Sequence, residues 1–187
     1  MEIELKAIIT KEKHNELLEL FKRMPEYSYV SRSDTYYSKD EKGPHPFTVR
    51  KRTEINSDTK KMKTFFTIKE KHVDENGLES NIEKESMVDN FEGISAFLTH
   101  EGYKPNFTKK KISAGYYNGY YHVELVSVST DKHEPIYAIE IEIVVSDECT
   151  TEADKQTHYN NEILILEANG ISKDAIEKRS WRELLGE

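Results

Sequence analysis

In several segments of this chain every second residue is charged and the residues between are apolar. Glu2, Glu4 and Lys6 alternate with Ile3, Leu5 and Ala7, and Glu140 and Glu142 alternate with Ile139, Ile141 and Ile143. Arg50 and Arg52, Lys69 and Lys71, Glu83 and Glu85, and Lys109 and Lys111 share the same spacing. Successive side chains of an extended strand point to opposite faces, so a period of two predicts strands with one apolar face and one charged face. The charges also sort by strand and by sign. A solvated face that merely mixes Thr, Ser, Lys and Glu does not produce that.

The rest of the pattern is mostly antiparallel. Residues 2–9 read as a strand, and Thr10 then caps a helix whose stripe is Leu17, Leu18, Phe21 and Met24. Strands are expected at 28–37, 47–53, 62–71 and 79–86. The prolines of Lys42-Gly43-Pro44-His45-Pro46 mark a loop, and Asp74-Glu75-Asn76-Gly77 marks a turn. Asp89 with Glu92 forms a capping box for a helix over Phe91, Ile94, Phe97 and Leu98, which Gly102 stops. Asn118-Gly119 between Tyr116-Tyr117 and Tyr120-Tyr121 predicts a hairpin with a type I′ turn. A strand at 136–145 follows a turn at Asp131–Pro135. Helix is expected from Thr151 to Gly170 and again from Ser172 onward. The total is about eight strands, and an eight-stranded antiparallel sheet can close on itself and lose its edges. Residues 1–187 are read as a single domain.

Helices with apolar stripes must cover apolar surface. The charged faces could simply be the solvated ones, but the apolar strand faces can instead pack outward beneath the helices, an arrangement that leaves the charged faces lining the barrel interior. That interior would hold the acids Glu2, Glu4, Glu83, Glu85, Glu124, Glu140 and Glu142. Its bases would be Lys6, Arg50, Arg52, Lys69, Lys71, Lys109 and Lys111. So many charges would be very costly if dry and unpaired. A wet tunnel that takes up divalent metal and a polyanion resolves the cost. Carboxylates are hard ligands suited to Mg²⁺ or Mn²⁺, and Lys and Arg suit phosphate oxygens.

The same residues resemble the CYTH domain, the triphosphate tunnel metalloenzymes. Glu2-x-Glu4-x-Lys6 is similar to the family's opening signature. Asp34-Thr-Tyr36-Tyr37, Val49-Arg50-Lys-Arg52, Ile68-Lys69, Glu83-x-Glu85, Lys109-x-Lys111 and Glu140-Ile-Glu142 follow in family order. The resemblance covers essentially the whole chain. It implies a closed eight-stranded antiparallel β-barrel, an α+β tunnel with helices packed outside. Carried over residue by residue, Glu2, Glu4, Glu140 and Glu142 become metal ligands for Mg²⁺ or Mn²⁺. Lys6, Arg50, Arg52, Lys69, Lys109 and Lys111 would hold phosphates, and Glu2, Glu4, Lys6 and Lys69 form the expected catalytic set. Glu83 and Glu85 would help bind metal or position these bases, and Glu124 and Lys71 are further candidates on the same faces. A homodimer is also an implication of the resemblance.

Two reactions fit one such site, with ATP cyclisation as the expected one and triphosphate hydrolysis as its alternative. The ending Arg179-Ser180-Trp181-Arg182-Glu183-Leu184-Leu185-Gly186, together with Ser80-Asn81-Ile82-Glu83, resembles the class IV adenylyl cyclases, which convert ATP to cyclic AMP and pyrophosphate. The retention of both Glu140 and Glu142 is more like the triphosphatases, which hydrolyse inorganic, thiamine or nucleoside triphosphates. A non-catalytic module that binds nucleotide or polyphosphate is the third reading. The last helix, with Trp181, Leu184 and Leu185, is expected on the barrel exterior or at a dimer contact.

Other functions find little support. A net charge of −8 disfavours broad nucleic-acid binding. No apolar run is long enough to span a bilayer, and the charged start Met1–Lys6 does not read as a signal peptide. A single Cys149 allows no internal disulfide, so a cytoplasmic protein is expected. The histidines lack zinc-site spacing, although His122 alternates with Glu124 and could face the tunnel. No Gly-x-x-x-x-Gly-Lys-Ser/Thr loop occurs.

Overall fold

A computed structural model describes residues 1–39, 47–73, 79–146 and 149–186, apart from the side chains of 71–73 and 79. The expected loop at 42–46, the turn at 74–77 and the Lys71 side chain lie outside the described residues. The elements in order are β1 (Glu2–Ile8), α1 (Lys11–Phe21), β2 (Ser28–Ser38), β3 (Thr48–Asn56), β4 (Met62–Val73) and β5 (Glu79–Met87). There follow α2 (Glu92–His100), β6 (Lys104–Tyr117), β7 (His122–Ser129), β8 (Ile136–Val144), α3 (Glu152–Ala168), a 3₁₀ turn (Lys173–Ala175) and α4 (Trp181–Leu184).

The strands close into a barrel in the order β1-β5-β4-β3-β2-β6-β7-β8, with every neighbouring pair antiparallel. The closing pair joins opposite ends of the chain, setting Glu4 beside Glu142 and Lys6 beside Glu140. The expected fold class is therefore the observed one.

The sheet is inside out relative to an ordinary solvated barrel. Ile3, Leu5 and Ala7 of β1, Val123 and Leu125 of β7, and Ile139 and Ile141 of β8 face outward. They form one core with Leu17 and Phe21 of α1 and Leu166 of α3. Thr10 caps α1 as expected, its side chain accepting from the Lys13 N–H. None of the helices among the described residues is long and apolar enough to cross a membrane.

Four local expectations are corrected. At the start of α2 the capping box of Asp89 and Glu92 does not form. Asn90 instead accepts from the Glu92 N–H at 2.8 Å, which satisfies one of the helix's free donors. On the same helix Leu98 is buried, but Phe97 is 63% exposed and leaves the expected stripe. The hairpin at Asn118-Gly119 exists, but only Gly119 takes a positive φ. Asn118 turns its side-chain oxygen onto the N–H groups of Tyr120 and Tyr121, making a side-chain-braced loop instead of a type I′ turn. Finally, the chain from Ser172 onward is mostly not helical. It bridges Ile176 to Ala7 of β1 and ends in the single turn α4.

Candidate active site

The inward faces of the strands enclose a cavity of about 340 Å³. Glu2, Glu4, Lys6, Arg50, Arg52, Lys69, Glu83, Glu85, Lys109, Lys111, Glu124, Glu140 and Glu142 all line it. The described charged side chains expected to face inward from seven different strands are thus gathered around one space. Arg32, which the sequence did not single out, lines it as well, as do Tyr36 and Trp181.

An acid-rich patch lies on β1, β5 and β8. Lys69 Nζ stands among three carboxylates, 3.0 Å from Glu2, 3.4 Å from Glu4 and 3.5 Å from Glu83. Burial pushes the Glu2 carboxyl up to about 7, and Glu4, Glu142 and Glu83 push the same way against the opposing pull of Lys69. Burial alone would lower the Lys69 ammonium, but Glu4, Glu2 and Glu83 together raise it well above its ordinary value. His122 Nδ1 donates to the Glu142 carboxylate at 3.2 Å; burial would lower the imidazole, but this bond holds it above its ordinary pKa.

A cation-rich patch lies opposite, on β2, β3 and β6. At its centre is Asp34, which has no exposed surface. Its carboxylate receives Arg52 through Nε at 2.9 Å and Nη2 at 3.1 Å, with Lys109 Nζ at 3.7 Å and Arg50 Nη1 at 3.9 Å. Burial would raise Asp34, but Arg52, Lys109 and Arg50 override it and hold the carboxyl well below the usual range. Arg50 reaches across to Glu83 at 2.7 Å and Glu85 at 3.2 Å. One buried acid thus serves three cations, and the patch keeps an excess of positive charge.

A third, nearly balanced group joins β2, β3, β6, β7 and β8. Arg32 donates to both oxygens of Glu124 at 2.8 and 3.0 Å and to Glu54 at 3.0 Å. Lys111 pairs with Glu124 at 3.0 Å and also with Glu140. Gly115 makes room for this packing. A Cβ there would lie 2.8 Å from the Val123 carbonyl oxygen and 2.9 Å from Glu124 Cγ, so any side chain would displace backbone.

The two ends of the cavity differ. At one end Glu85 and Glu142 keep 30% and 31% of their side-chain surface exposed. At the other, Lys109 and Glu140 keep 6% and 7%. Beyond them the inward faces turn apolar, with Val126 and Val128 of β7, Ala138 of β8, Tyr36 of β2 and Phe107 of β6. Trp181 and Leu185 pack into that cluster. The C-terminal turn is therefore seated in the barrel mouth, which corrects the expectation of an exterior or dimer contact. Trp181 Nε1 donates to Glu140 at 2.6 Å, and its ring lies 5.0 Å below Lys6 Nζ and 5.9 Å from Lys109 Nζ. Lys6 Nζ also donates to the Arg179 carbonyl.

Trp181 could have been found in the sequence. The inward register His122-x-Glu124-x-Val126-x-Val128 changes from charged to apolar, as does Glu142-x-Glu140-x-Ala138-x-Ile136, and such a floor needs an apolar cover. Asp34 and Arg32 sit in a strand whose Ser, Thr and Tyr residues carry no clear alternation, so nothing in the spacing exposed them.

No protein-family model matches the chain, and no curated protein sequence does. Solved structures do match. A protein from Pyrococcus horikoshii OT3 superposes with a TM-score of 0.77 at 22% identity, covering 98% of this chain and 97% of that one. A candidate adenylate cyclase from Vibrio parahaemolyticus gives 0.69 at 15% identity, over 98% and 96%. A candidate adenylyl cyclase from Hippeastrum, described as having a dominant triphosphatase activity, gives 0.62 at 16% identity, over 96% and 91%. At these identities the likeness establishes a shared fold, and it extends over nearly the full length of each chain.

Proposed function

We propose that this chain is a metal-dependent enzyme of the CYTH, or triphosphate tunnel, type that cleaves a triphosphate bound in the barrel. The observation that carries the reading is the separation of charge inside one cavity. A cation-rich wall built on Asp34 faces an acid-rich wall built on Glu2, Glu4 and Glu142.

The acid wall fits a divalent cation by its chemistry. Its donors are hard carboxylate oxygens, and Glu2 holds its proton unusually strongly because it is buried and because Glu4, Glu142 and Glu83 crowd it with negative charge. As the side chains stand, no three acidic or imidazole groups among the described residues are close enough to chelate an ion. Lys69 occupies the middle of the group, so the ion would take over the neutralising role that Lys69 now holds. Glu2, Glu4 and Glu142 are the residues that would hold Mg²⁺ or Mn²⁺. Glu140 is less suited, because Trp181 and Lys111 already use its two oxygens. When bound, the metal would supply Lewis-acid polarisation of phosphoryl oxygens.

The chain's own cations do the rest. Lys6, Arg50, Arg52 and Lys109 would hold phosphate oxygens, and charge building on those oxygens in the transition state would meet donors fixed in place beforehand. Asp34 holds the Arg52 guanidinium by two hydrogen bonds, so Arg52 is oriented before substrate arrives.

Hydrolysis is the reaction the cavity supports best. The rings of Trp181 and Tyr36 have lysine ammonium groups over them, which leaves little open aromatic surface at that end for an adenine. Cyclisation of ATP is the second reading, supported by the fold shared with candidate adenylate cyclases and by the resemblance of the C-terminal segment.

The test is to incubate the chain with inorganic triphosphate or ATP and Mg²⁺ or Mn²⁺ and identify the products by mass. Phosphate release that a chelator abolishes supports hydrolysis, whereas cyclic AMP with pyrophosphate supports cyclisation. Glu4→Gln is expected to lower turnover by at least ~100-fold with the fold intact. Retained triphosphate binding with no turnover in any condition would favour the binding module.

A further inference from the structure

We infer that Trp181 closes the pocket and thereby sets its ligand class: a phosphate chain with one free end, entered end-on, whose terminal phosphate comes to rest against Lys6 and Lys109. The inference rests on the proposed triphosphate reading and adds a direction and a stop to it.

The cavity has one accessible end and one end filled with side chains. At the filled end Trp181 and Leu185 pack on Val126, Val128 and Ala138, which lie on the same inward faces that carry charges higher up. A ligand cannot pass that layer without removing α4. Held against that layer are Lys6 and Lys109, both over the indole ring, and Glu140, which accepts the indole N–H. Lys6 is anchored from the same segment through the Arg179 carbonyl. One short stretch of chain therefore supplies the floor and fixes one of the two cations above it. A terminal phosphate carries more negative charge and more free oxygens than an internal one, so it is the group that two ammonium ions beside a closed wall favour. A phosphate chain esterified at both ends would have to place an organic group against that wall, where the indole is already packed in its cluster and covered by two ammonium groups.

The chain contains a single tryptophan, so the floor reports on itself. Titration of the wild-type chain with inorganic triphosphate should change its tryptophan emission, because a phosphate arriving at Lys6 and Lys109 alters the charge over the indole. Calorimetry then compares inorganic triphosphate and ATP with a dinucleoside triphosphate, which has no free end. The expected result is at least ~100-fold weaker binding of the ligand capped at both ends. Trp181→Ala should reduce that discrimination to within about 10-fold, while Trp181→Phe keeps the ring and should retain it. Circular dichroism checks that both variants fold, and the wild-type comparison decides even if Trp181→Ala does not. Equal affinity of the wild-type chain for capped and uncapped ligands overturns the inference, as does calorimetric binding of triphosphate with unchanged emission. Absence of any triphosphate binding, with or without Mg²⁺, would instead bring down the functional reading itself and the inference with it.

Discussion

Two buried carboxyl groups in this chain behave in opposite ways. Asp34 and Glu162 both have no exposed surface. Asp34 is surrounded by Arg52, Lys109 and Arg50 and stays ionised far below the usual range. Neither oxygen of Glu162 has a hydrogen-bond partner, and burial, followed by the nearby charges of Glu4 and Glu142, pushes it up to about 9. It lies on α3, which packs against β1 and β8, the strands that carry the acid wall. In the unfolded chain the same carboxyl ionises near its ordinary value of about 4.3. Between roughly pH 4.3 and 9 the folded state therefore binds one more proton than the unfolded state, so this group's contribution falls as pH rises through that window. We expect the urea midpoint to drop between pH 5 and pH 8.5. Glu162→Met should flatten that fall and raise stability at pH 8 by on the order of 2–4 kcal/mol, since it replaces an unpaired buried acid with an apolar side chain. A variant that keeps the wild-type pH dependence would show that other groups cause it. Neither role was legible beforehand. A lone Glu in a mixed helix such as α3, or a lone Asp among Ser, Thr and Tyr, shows its surroundings only once the chain has folded.

At the scale of elements, the strands were legible because charge alternates with apolar residues along them, and errors fell where that signal ends. The C-terminal segment is the clearest case. Trp181, Leu184 and Leu185 announce an apolar face, but one helical turn suits any apolar surface, and its destination depends on a gap elsewhere in the barrel. That gap is the seam beside β1. Glu2, Ile3 and Glu4 pair with β5, whereas β1 pairs with β8 along its whole length from Glu2 to Ile8. Past Glu4 the open edge is taken by the tail, through the Ile176–Ala7 bridge and the Glu177 N–H donating to the Lys6 carbonyl. Ending the chain at Ile171 should thus do two things. Loss of Trp181 and Leu185 from their cluster should cost about 3–5 kcal/mol of stability, read as a denaturation midpoint. The uncovered edge of β1 should also promote edge-to-edge association, seen by sedimentation as a concentration-dependent rise in mass. A truncated chain that stays monomeric with an unchanged midpoint would mean that the tail merely rests on the barrel.

At the scale of the whole molecule, the inside-out arrangement could be read from the sequence by combining two facts that say little alone. Charged strand faces suit water, and striped helices need apolar surface. Together they send the charged faces inward, and the structure bears this out with Ile3, Leu5, Ile139 and Ile141 beneath α1 and α3. The consequence is a molecule that stores electrostatic repulsion in its centre. Glu2, Glu4, Glu83 and Glu142 repel one another with Lys69 among them, and Arg50, Arg52 and Lys109 repel one another around Asp34. Outside, the net charge of −8 repels an approaching polyanion at long range, so a phosphate chain must gain its affinity inside the barrel. A divalent cation would relieve only the acid wall, and a triphosphate only the cation wall. Each also attracts the other across a cavity of about 340 Å³. Binding that favours the folded state raises stability in proportion to RT ln(1 + [L]/Kd), so coupled ligands must stabilise more together than the sum of their separate effects. The measurement is a thermal melt with Mg²⁺ alone, inorganic triphosphate alone and both at the same concentrations, read before appreciable turnover. We expect the midpoint shift with both to exceed the sum of the two single shifts in the wild-type chain. In Glu4→Gln the shift should fall back toward that sum, because the metal loses a ligand while the cation wall is untouched. A strictly additive shift in the wild-type chain would mean that the two walls work independently, and the barrel would then be two separate ion sites in place of one site for a metal-bound triphosphate.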